Sequence, residues 1–529
     1  MHRCFLIPEI VSLIIDTGPP GSPQDTSSLA RLARTSRVFH NVSLDVLWYG
    51  QFGLANLIKC MPADLWTEDD GKLSFTRPLL ASDLERFDYY AHRIRALTLS
   101  RYEKIPSPWI SPNVTVGSNV FKALSLFRLS TPPLPNITQL GWSGGSAFTY
   151  CIMFLGPKLN LLQVTSTRPI TAPALASVLS HLRYLAAPLQ SIYLNFQDWS
   201  NDYSKPLEQI ADFPDLRTFS YTSGEPLSVE IFAILGQMPH LENLELCLKT
   251  IPQPLYPLPG PGSPHYFPFT ALKEFSLSTS SITVCVTVVS ALSLRNIRSV
   301  SFDVLHAASV GQLLEVVHDH CSWESLESIL IHTSFNARKG HPSDEVVAQA
   351  SLRSLYDFHK MKNLTIMTDS PLEMDNSDLQ DMASSWPHLE ELCLIYNPLV
   401  TSWEQHSAIT LQGLVPLVKQ CPTLSVLSLP IAFTVGDGYT RLRPGGGHSN
   451  DRVTQLHCGG RCTAGPAQIA SFLSDLFPNL QEIAGYYPGE LNDPKNPWRE
   501  IEEYLPGFAA IRKQERISLE AQGKVEDVV

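Results

Sequence analysis

The sequence has little charge, and none of it is concentrated. Only 17% of the 529 residues are Asp, Glu, Lys or Arg, and no cluster of four or more Lys/Arg occurs. With 39 Lys and Arg against 51 Asp and Glu the formal net charge is −12, so a nucleic-acid backbone or an acidic membrane surface would meet repulsion. Long apolar runs are missing too. The longest weakly polar stretch, Ile282 to Leu294, carries Thr and Ser and falls short of the roughly 20 apolar residues that span a bilayer. Regular cysteine spacing is also absent: the ten cysteines, at positions 4, 60, 151, 247, 285, 321, 393, 421, 458 and 462, lie scattered in apolar contexts, as buried thiols of a reducing compartment do. The basic start Met1-His2-Arg3 is followed by apolar residues, but Pro8 and Glu9 interrupt the run and no small-x-small site follows, so no signal peptide is read. The four Asn-x-Ser/Thr triplets at Asn41, Asn113, Asn136 and Asn363 would matter only in a secreted chain. These absences predict an intracellular protein, cytoplasmic or nuclear, with neither nucleic acid nor membrane as partner. What is present is 44% apolar and 9% aromatic residues, ample for a large core and too many for a disordered or fibrous chain.

Three patterns divide the chain. Residues 1–50 read as short helices: Ile10, Val11 and Ile14 share a face in a first helix opened by Pro8, the segment Gly18 to Pro23 breaks it, Ser27 or Ser28 caps a second helix striped by Leu29, Leu32 and Ala33, and Leu44, Leu47 and Trp48 supply a third. So small a unit has little core of its own and gains stability from a partner or from the rest of the chain. From about Ile94 an apolar triplet spaced 1, 4, 6 recurs, as in Leu216-x-x-Phe219-x-Tyr221, Leu241-x-x-Leu244-x-Leu246, Leu272-x-x-Phe275-x-Leu277, Ile297-x-x-Val300-x-Phe302 and Leu326-x-x-Ile329-x-Ile331, then at Leu389 and Leu424. The first five begin 25, 31, 25 and 29 residues apart, near the roughly 20 to 29 of leucine-rich repeats. Weaker triplets at Leu124, Ile137, Leu159 and Leu189 extend the series towards the N-terminus, and the ladder asparagine of the repeat occurs cleanly at Asn397.

Proline precedes several triplets, in Phe213-Pro214, Met238-Pro239, Trp386-Pro387, Cys421-Pro422 and Phe477-Pro478, where it ends one helix and releases the next strand. The stretches ahead of these prolines have helical periodicity. Each unit is therefore a strand and a helix that must stack on its neighbours. Loops at 252–268 and 436–466 read as surface excursions, and residues from Trp498 to about Gly523 as a helical tail that caps the array. The fold expected is α/β: a small three-helix unit over 1–50, a helical linker over 51–92, an irregular leucine-rich-repeat solenoid of parallel strands and helices bent into a horseshoe over 93–485, and a C-terminal cap over 486–529.

Catalytic and ligand motifs are weak. Gly141-Trp142-Ser143-Gly144-Gly145 matches the Gly-x-Ser-x-Gly nucleophile elbow, which would make Ser143 a hydrolase nucleophile on a strained strand-to-helix turn. The same residues also read as one strand and turn of the repeat series. His448, His457, Cys458 and Cys462 share one loop region but lack a second ligand pair at zinc spacing. The glycine-rich stretches lack the Lys-Ser/Thr of a phosphate loop. The expectation is a non-enzyme with no metal and no cofactor.

The first fifty residues carry a sharper pattern: Leu6-Ile7-Pro8-Glu9-Ile10-Val11, then Leu29 to Phe39 through Leu32 and Ser36-Arg37-Val38, then Leu44-Asp45-Val46-Leu47-Trp48. This resembles the F-box, with one residue fewer between Pro8 and Glu9 and with an inserted segment from Gly18 to Asp25. Together with the repeats, the chain is similar to the F-box and leucine-rich-repeat proteins numerous in mushroom-forming fungi. The resemblance implies a small N-terminal F-box that docks on a Skp-type adaptor of a cullin-RING (SCF-type) ubiquitin ligase, and repeats that present a protein substrate. Carried over, it places Ile7, Pro8, Ile10, Val11, Ile14, Leu32, Val38 and Trp48 at the adaptor face, although Leu32, Val38 and Trp48 would equally fill a three-helix core. On the repeats, the non-triplet strand positions face the concave surface because side chains alternate along a strand. Asn243, Glu245, Glu274, Ser276, Ser301, Asp303, His332 and Glu391 are the substrate-contact candidates among them, and their small and acidic character suggests a basic or hydrogen-bonding partner. A repeat scaffold without a ligase role is the alternative.

Overall fold

The computed structural model describes residue 13 and residues 26–99, 114–128, 131–144, 148–166, 170–196, 202–224, 227–248, 267–305, 310–333, 347–368, 372–396, 408–431, 444–458, 465–485 and 497–526. Ile7, Pro8, Ile10, Val11 and Ile14, Asn397 and Cys462 lie outside the described residues. The chain forms two compact units, Met1–Leu241 and Glu242–Val529.

The first unit opens with helices Thr26–Thr35 and Arg37–Tyr49, separated by Ser36, whose extended backbone and side-chain oxygen, accepting from Val38 N at 3.3 Å, cap the second helix. The first of these helices starts at Thr26, so Ser27 and Ser28 occupy its first turn. Strand β1 (Gly50–Phe52) follows directly. The linker expected to be helical also holds a hairpin, β2 (Trp66–Asp69) and β3 (Lys72–Phe75), closed by Asp70 and Gly71 at φ 50° and 69°. Positive φ at both turn residues is the hairpin geometry that Asp-Gly favours, a signal the helical reading of this segment passed over. Strand β4 (Ala96–Leu99) pairs with β1 in parallel, and β5 (Thr115–Val116) pairs with β3. The parallel ladder continues through β6 (Gln139–Ser143), β7 (Leu161–Ser166), β8 (Ser191–Phe196) and β9 (Thr218–Ser223).

The second unit is a ladder in sequence order: β10 (Asn243–Leu248), β11 (Glu274–Thr279), β12 (Ser299–Val304), β13 (Ser328–Thr333), β14 (Asn363–Thr368), β15 (Glu391–Tyr396), β16 (Val426–Leu429), β17 (Gln455–Cys458) and β18 (Glu482–Gly485), every adjacent pair parallel. Helices such as Val310–His320 and Asn376–Ser385 return the chain from one strand to the next. The fold is α/β, built of parallel strand–helix repeats, as the triplet period predicts.

The triplets are the core. Phe275, Leu277, Val300, Phe302, Ile329 and Ile331 are each at most 1% exposed, and burying one such side chain contributes roughly 1.5–3 kcal/mol. The prolines act as expected: Phe213, Trp386, Cys421 and Phe477, each before a proline, end their helices with ψ between 67° and 80°, because the proline ring forbids the helical region there. Two sequence expectations change. Leu124 belongs to helix Ser118–Phe127 and is buried as a helix residue. Met361, Leu364 and Ile366 form a further triplet at β14, opened by methionine where the others open on leucine or isoleucine; all three are fully buried. The C-terminal cap is the helix Pro497–Glu526, whose Ile501 and Leu505 are buried. Its Arg512 reaches Asp475 at 3.1 Å and donates to Ser471 O at 3.0 Å.

Candidate protein-interaction site

Alternation along the strands separates two sets of side chains. In β8, β9, β11 and β12, for example, residues two apart are buried and those between them are not. Register then aligns the outward residues in rows across the second unit: Asn243, Glu274, Ser299, Ser328, Asn363 and Glu391 make one row. Glu245, Ser276, Ser301, Leu330 and Thr365 make the next, which ends at the buried Cys393, and Ser278, Asp303, His332, Met367 and Ile395 make a third. All eight residues expected to face outward on the repeats, Asn243, Glu245, Glu274, Ser276, Ser301, Asp303, His332 and Glu391, lie in these rows and none is buried.

Local chemistry orients the polar groups of the rows. Asn243 donates to Glu274 at 2.7 Å, Thr365 donates to Glu391 at 3.2 Å, and the His332 ring pairs with Asp303 at 3.1 Å. The outward positions of β10 to β18 contain Glu245, Glu274, Asp303, Glu391 and Glu482, and neither a lysine nor an arginine. Lysines just ahead of the strands are neutralised by glutamates of the preceding repeat, Lys273 by Glu242 at 2.9 Å and Lys362 by Glu327 at 2.7 Å. That ion pair lowers the Glu327 carboxyl pKa and raises that of Lys362. Sequence reasoning chose only polar outward residues and passed over Leu330, Met367 and Val426, which are 39%, 38% and 41% exposed. The triplet rule already places Leu330, between Ile329 and Ile331, on the outward side.

The helical pair at the start of the first unit is attached to the segment that leads into β4. Trp48 stacks on Tyr90 with ring centroids 4.5 Å apart, and the Arg93 guanidinium pairs with Asp45 and donates to Asn41 Oδ1 at 3.1 Å. Trp48 is 8% exposed and is a core residue: a large ring at the end of a short helix finds its burial against the aromatic side chain beneath it. Leu32 and Val38 are half-buried and remain partly open to a partner. A cleft of about 510 Å³ in this unit is lined by Asn41, Asp45, Tyr49, His92, Arg93 and Arg95.

Ser143 is the last residue of β6, paired with Thr165, and the positive φ of 111° falls on Gly144. The serine thus has ordinary strand backbone where an elbow nucleophile occupies a strained turn. His457 and Cys458 are consecutive in β17, with Cys458 buried; neighbouring side chains of a strand diverge to opposite faces, so they do not converge on one ion. The buried cysteines are held as thiols, burial pushing Cys285 and Cys321 up to about 12 and Cys393 and Cys421 up to about 11.

No family model matches the chain, and no curated protein matches it. Among solved structures, the chain is similar to one described as the crystal structure of the Rad7 and Elc1 complex in yeast, at 14% identity and a TM-score of 0.30, over 61% of this chain and 83% of that one. A likeness that loose says nothing of partners, and the repeat fold stands on this chain's own strands. No helix among the described residues is long and apolar enough to cross a membrane.

Proposed function

We propose that this chain is a non-catalytic recognition protein, the substrate-recognition adaptor of an SCF-type ubiquitin ligase. In this reading the N-terminal helices dock on a Skp-type adaptor and the outward strand face binds a protein substrate. The observation that carries the recognition role is the rows of small, acidic and apolar side chains laid side by side on successive parallel strands. Such a surface offers many shallow contacts to a protein partner. The ligase role rests on the resemblance of the first fifty residues to the F-box, and the half-buried Leu32 and Val38 give that unit apolar surface for docking. Ile7, Pro8, Ile10, Val11 and Ile14 belong to the same proposed face.

The burial of Trp48 against Tyr90 favours a second reading, in which the helical unit only closes the end of the repeats and the chain is an interaction scaffold without a ligase role. A pull-down of Skp-type adaptor by the full chain, by Leu32→Asp and by a Pro8→Ala, Ile10→Asp double variant separates the two. Leu32 is half-buried, so its substitution leaves the fold largely intact, whereas a charge set against a docked apolar face costs several kcal/mol. Capture by the intact chain that both variants abolish supports the ligase adaptor. Failure of the intact chain to capture the adaptor leaves the scaffold.

A further inference from the structure

The register of the second unit places three apolar side chains together on the outward face. Met367 and Ile395 are directly opposite each other on β14 and β15, and Leu330 on β13 is opposite Thr365, two residues before Met367. Leu330 and Met367 are the large exposed members of this group. Outward side chains opposite or diagonal to one another on adjacent strands lie within reach, so the three form one apolar cluster on a mostly polar face, whose other large exposed apolar residue is Val426 on β16. Carboxylates bound it: Asp303, paired with His332 one strand away, and Glu391, which accepts from Thr365 in the adjoining row. Each of these carboxylates accepts one or two internal hydrogen bonds and keeps further lone pairs for an incoming donor.

We infer that this face takes a cationic segment of a partner protein, which seats one apolar side chain on Leu330, Met367 and Ile395 and places lysine or arginine side chains against Asp303 and Glu391. The inference rests on the reading of the strand face as the partner-binding surface and names the class of partner. Charge complementarity selects the occupant: an acidic segment would face Glu245, Glu274, Asp303 and Glu391, with neither lysine nor arginine at the outward positions of the described strands to receive it. Of the basic residues just ahead of these strands, Lys273 and Lys362 are occupied by Glu242 and Glu327, and the exposed Arg298 lies close enough to Glu327 to help lower its carboxyl pKa. The chain's net charge of −12 also steers a cationic partner towards it.

Selection from a random peptide library, with the full chain as bait, tests this, followed by fluorescence anisotropy on the enriched peptides. The expected consensus has Lys or Arg on both sides of one large apolar residue. Its binding weakens with added salt. Leu330→Ser with Met367→Ser, and separately Asp303→Asn with Glu391→Gln, each weaken it by roughly tenfold or more. Leu330, Met367 and Asp303 are exposed and Glu391 is half-buried, so unchanged melting of the variants is what shows that the loss is local. Enrichment of acidic or uncharged peptides, enrichment of none, or affinity that survives both double variants overturns the proposal. Adaptor capture is read separately on the same preparations: peptide binding without adaptor capture removes the ligase role and leaves this inference, and the reverse removes this inference alone.

Discussion

Asn450 shows how one polar side chain holds a repeat together. It is 4% exposed, donates to Leu424 O at 2.9 Å, and accepts from Arg452 N at 2.8 Å and Val453 N at 3.2 Å. Asn450→Ala strands those buried backbone groups, and a loss of about 1–3 kcal/mol is expected from the urea unfolding midpoint. His318 gives a pH dependence. Burial alone draws its pKa down, but hydrogen bonds to Asp357 at 3.0 Å and Asp319 at 3.2 Å outweigh that, and the folded-state pKa is raised. Its contribution is therefore fully present below the unfolded pKa of about 6.5 and is lost as pH rises through the higher folded value. Nearby His320 has the opposite sign, since burial lowers its pKa, so the comparison must isolate His318. The melting temperature of wild type minus that of Asp357→Asn is expected to be larger at about pH 6 than at about pH 8.5; an equal difference at both would remove the charged pair from the account.

At the scale of elements, helix Ile282–Ala291 is built largely from residues that favour strands. Its sequence Ile-Thr-Val-Cys-Val-Thr-Val-Val-Ser-Ala has eight of its residues buried. Strand β11 ends just before it, and Ser281 caps it by accepting from Thr283 N at 3.3 Å; packing on both sides then overrides local preference. The C-terminal helix depends on fewer contacts. Arg512 is 16% and Asp475 5% exposed in their ion pair, and removal of one partner of a buried pair costs about 3 kcal/mol or more. Arg512→Met is expected to speed amide exchange across 497–512 while β11 to β13 keep their protection; unchanged exchange would show that Ile501 and Leu505 suffice to hold the cap. In the first unit, Arg93→Met is expected to speed exchange in helix Arg37–Tyr49, since the buried Arg93 ties that helix to the start of β4 through the exposed Asp45 and through Asn41.

At the scale of the molecule, stability in a repeat stack is shared between neighbours, because no repeat buries its triplet alone. Phe302 packs edge-to-face against Phe275 of the preceding strand, ring centroids 6.3 Å apart. Phe302→Ala is expected to cost about 3–5 kcal/mol by denaturant unfolding of the second unit, with exchange rising first in β11 and β13, the strands on either side. Loss confined to β12 would mean that the repeats are less coupled than their packing indicates.

The sequence by itself determined the repeat, the inward triplets, the proline-ended helices and the terminal helix, since each is a local pattern with a local cause: a period of two in strands, of 3.6 in helices, and the backbone restriction that proline imposes. It also placed outward the polar residues of the strand face, because alternation fixes facing without knowledge of neighbours. Tertiary structure alone decided the rest. Trp48 became core rather than docking surface because Tyr90, some forty residues on, lies beneath it. Leu330, Met367 and Ile395 form a patch only because the register of β13 to β15 brings them side by side. A residue's facing follows from its own strand, whereas a site is a property of which strands lie together, and that depends on the stacking of whole repeats.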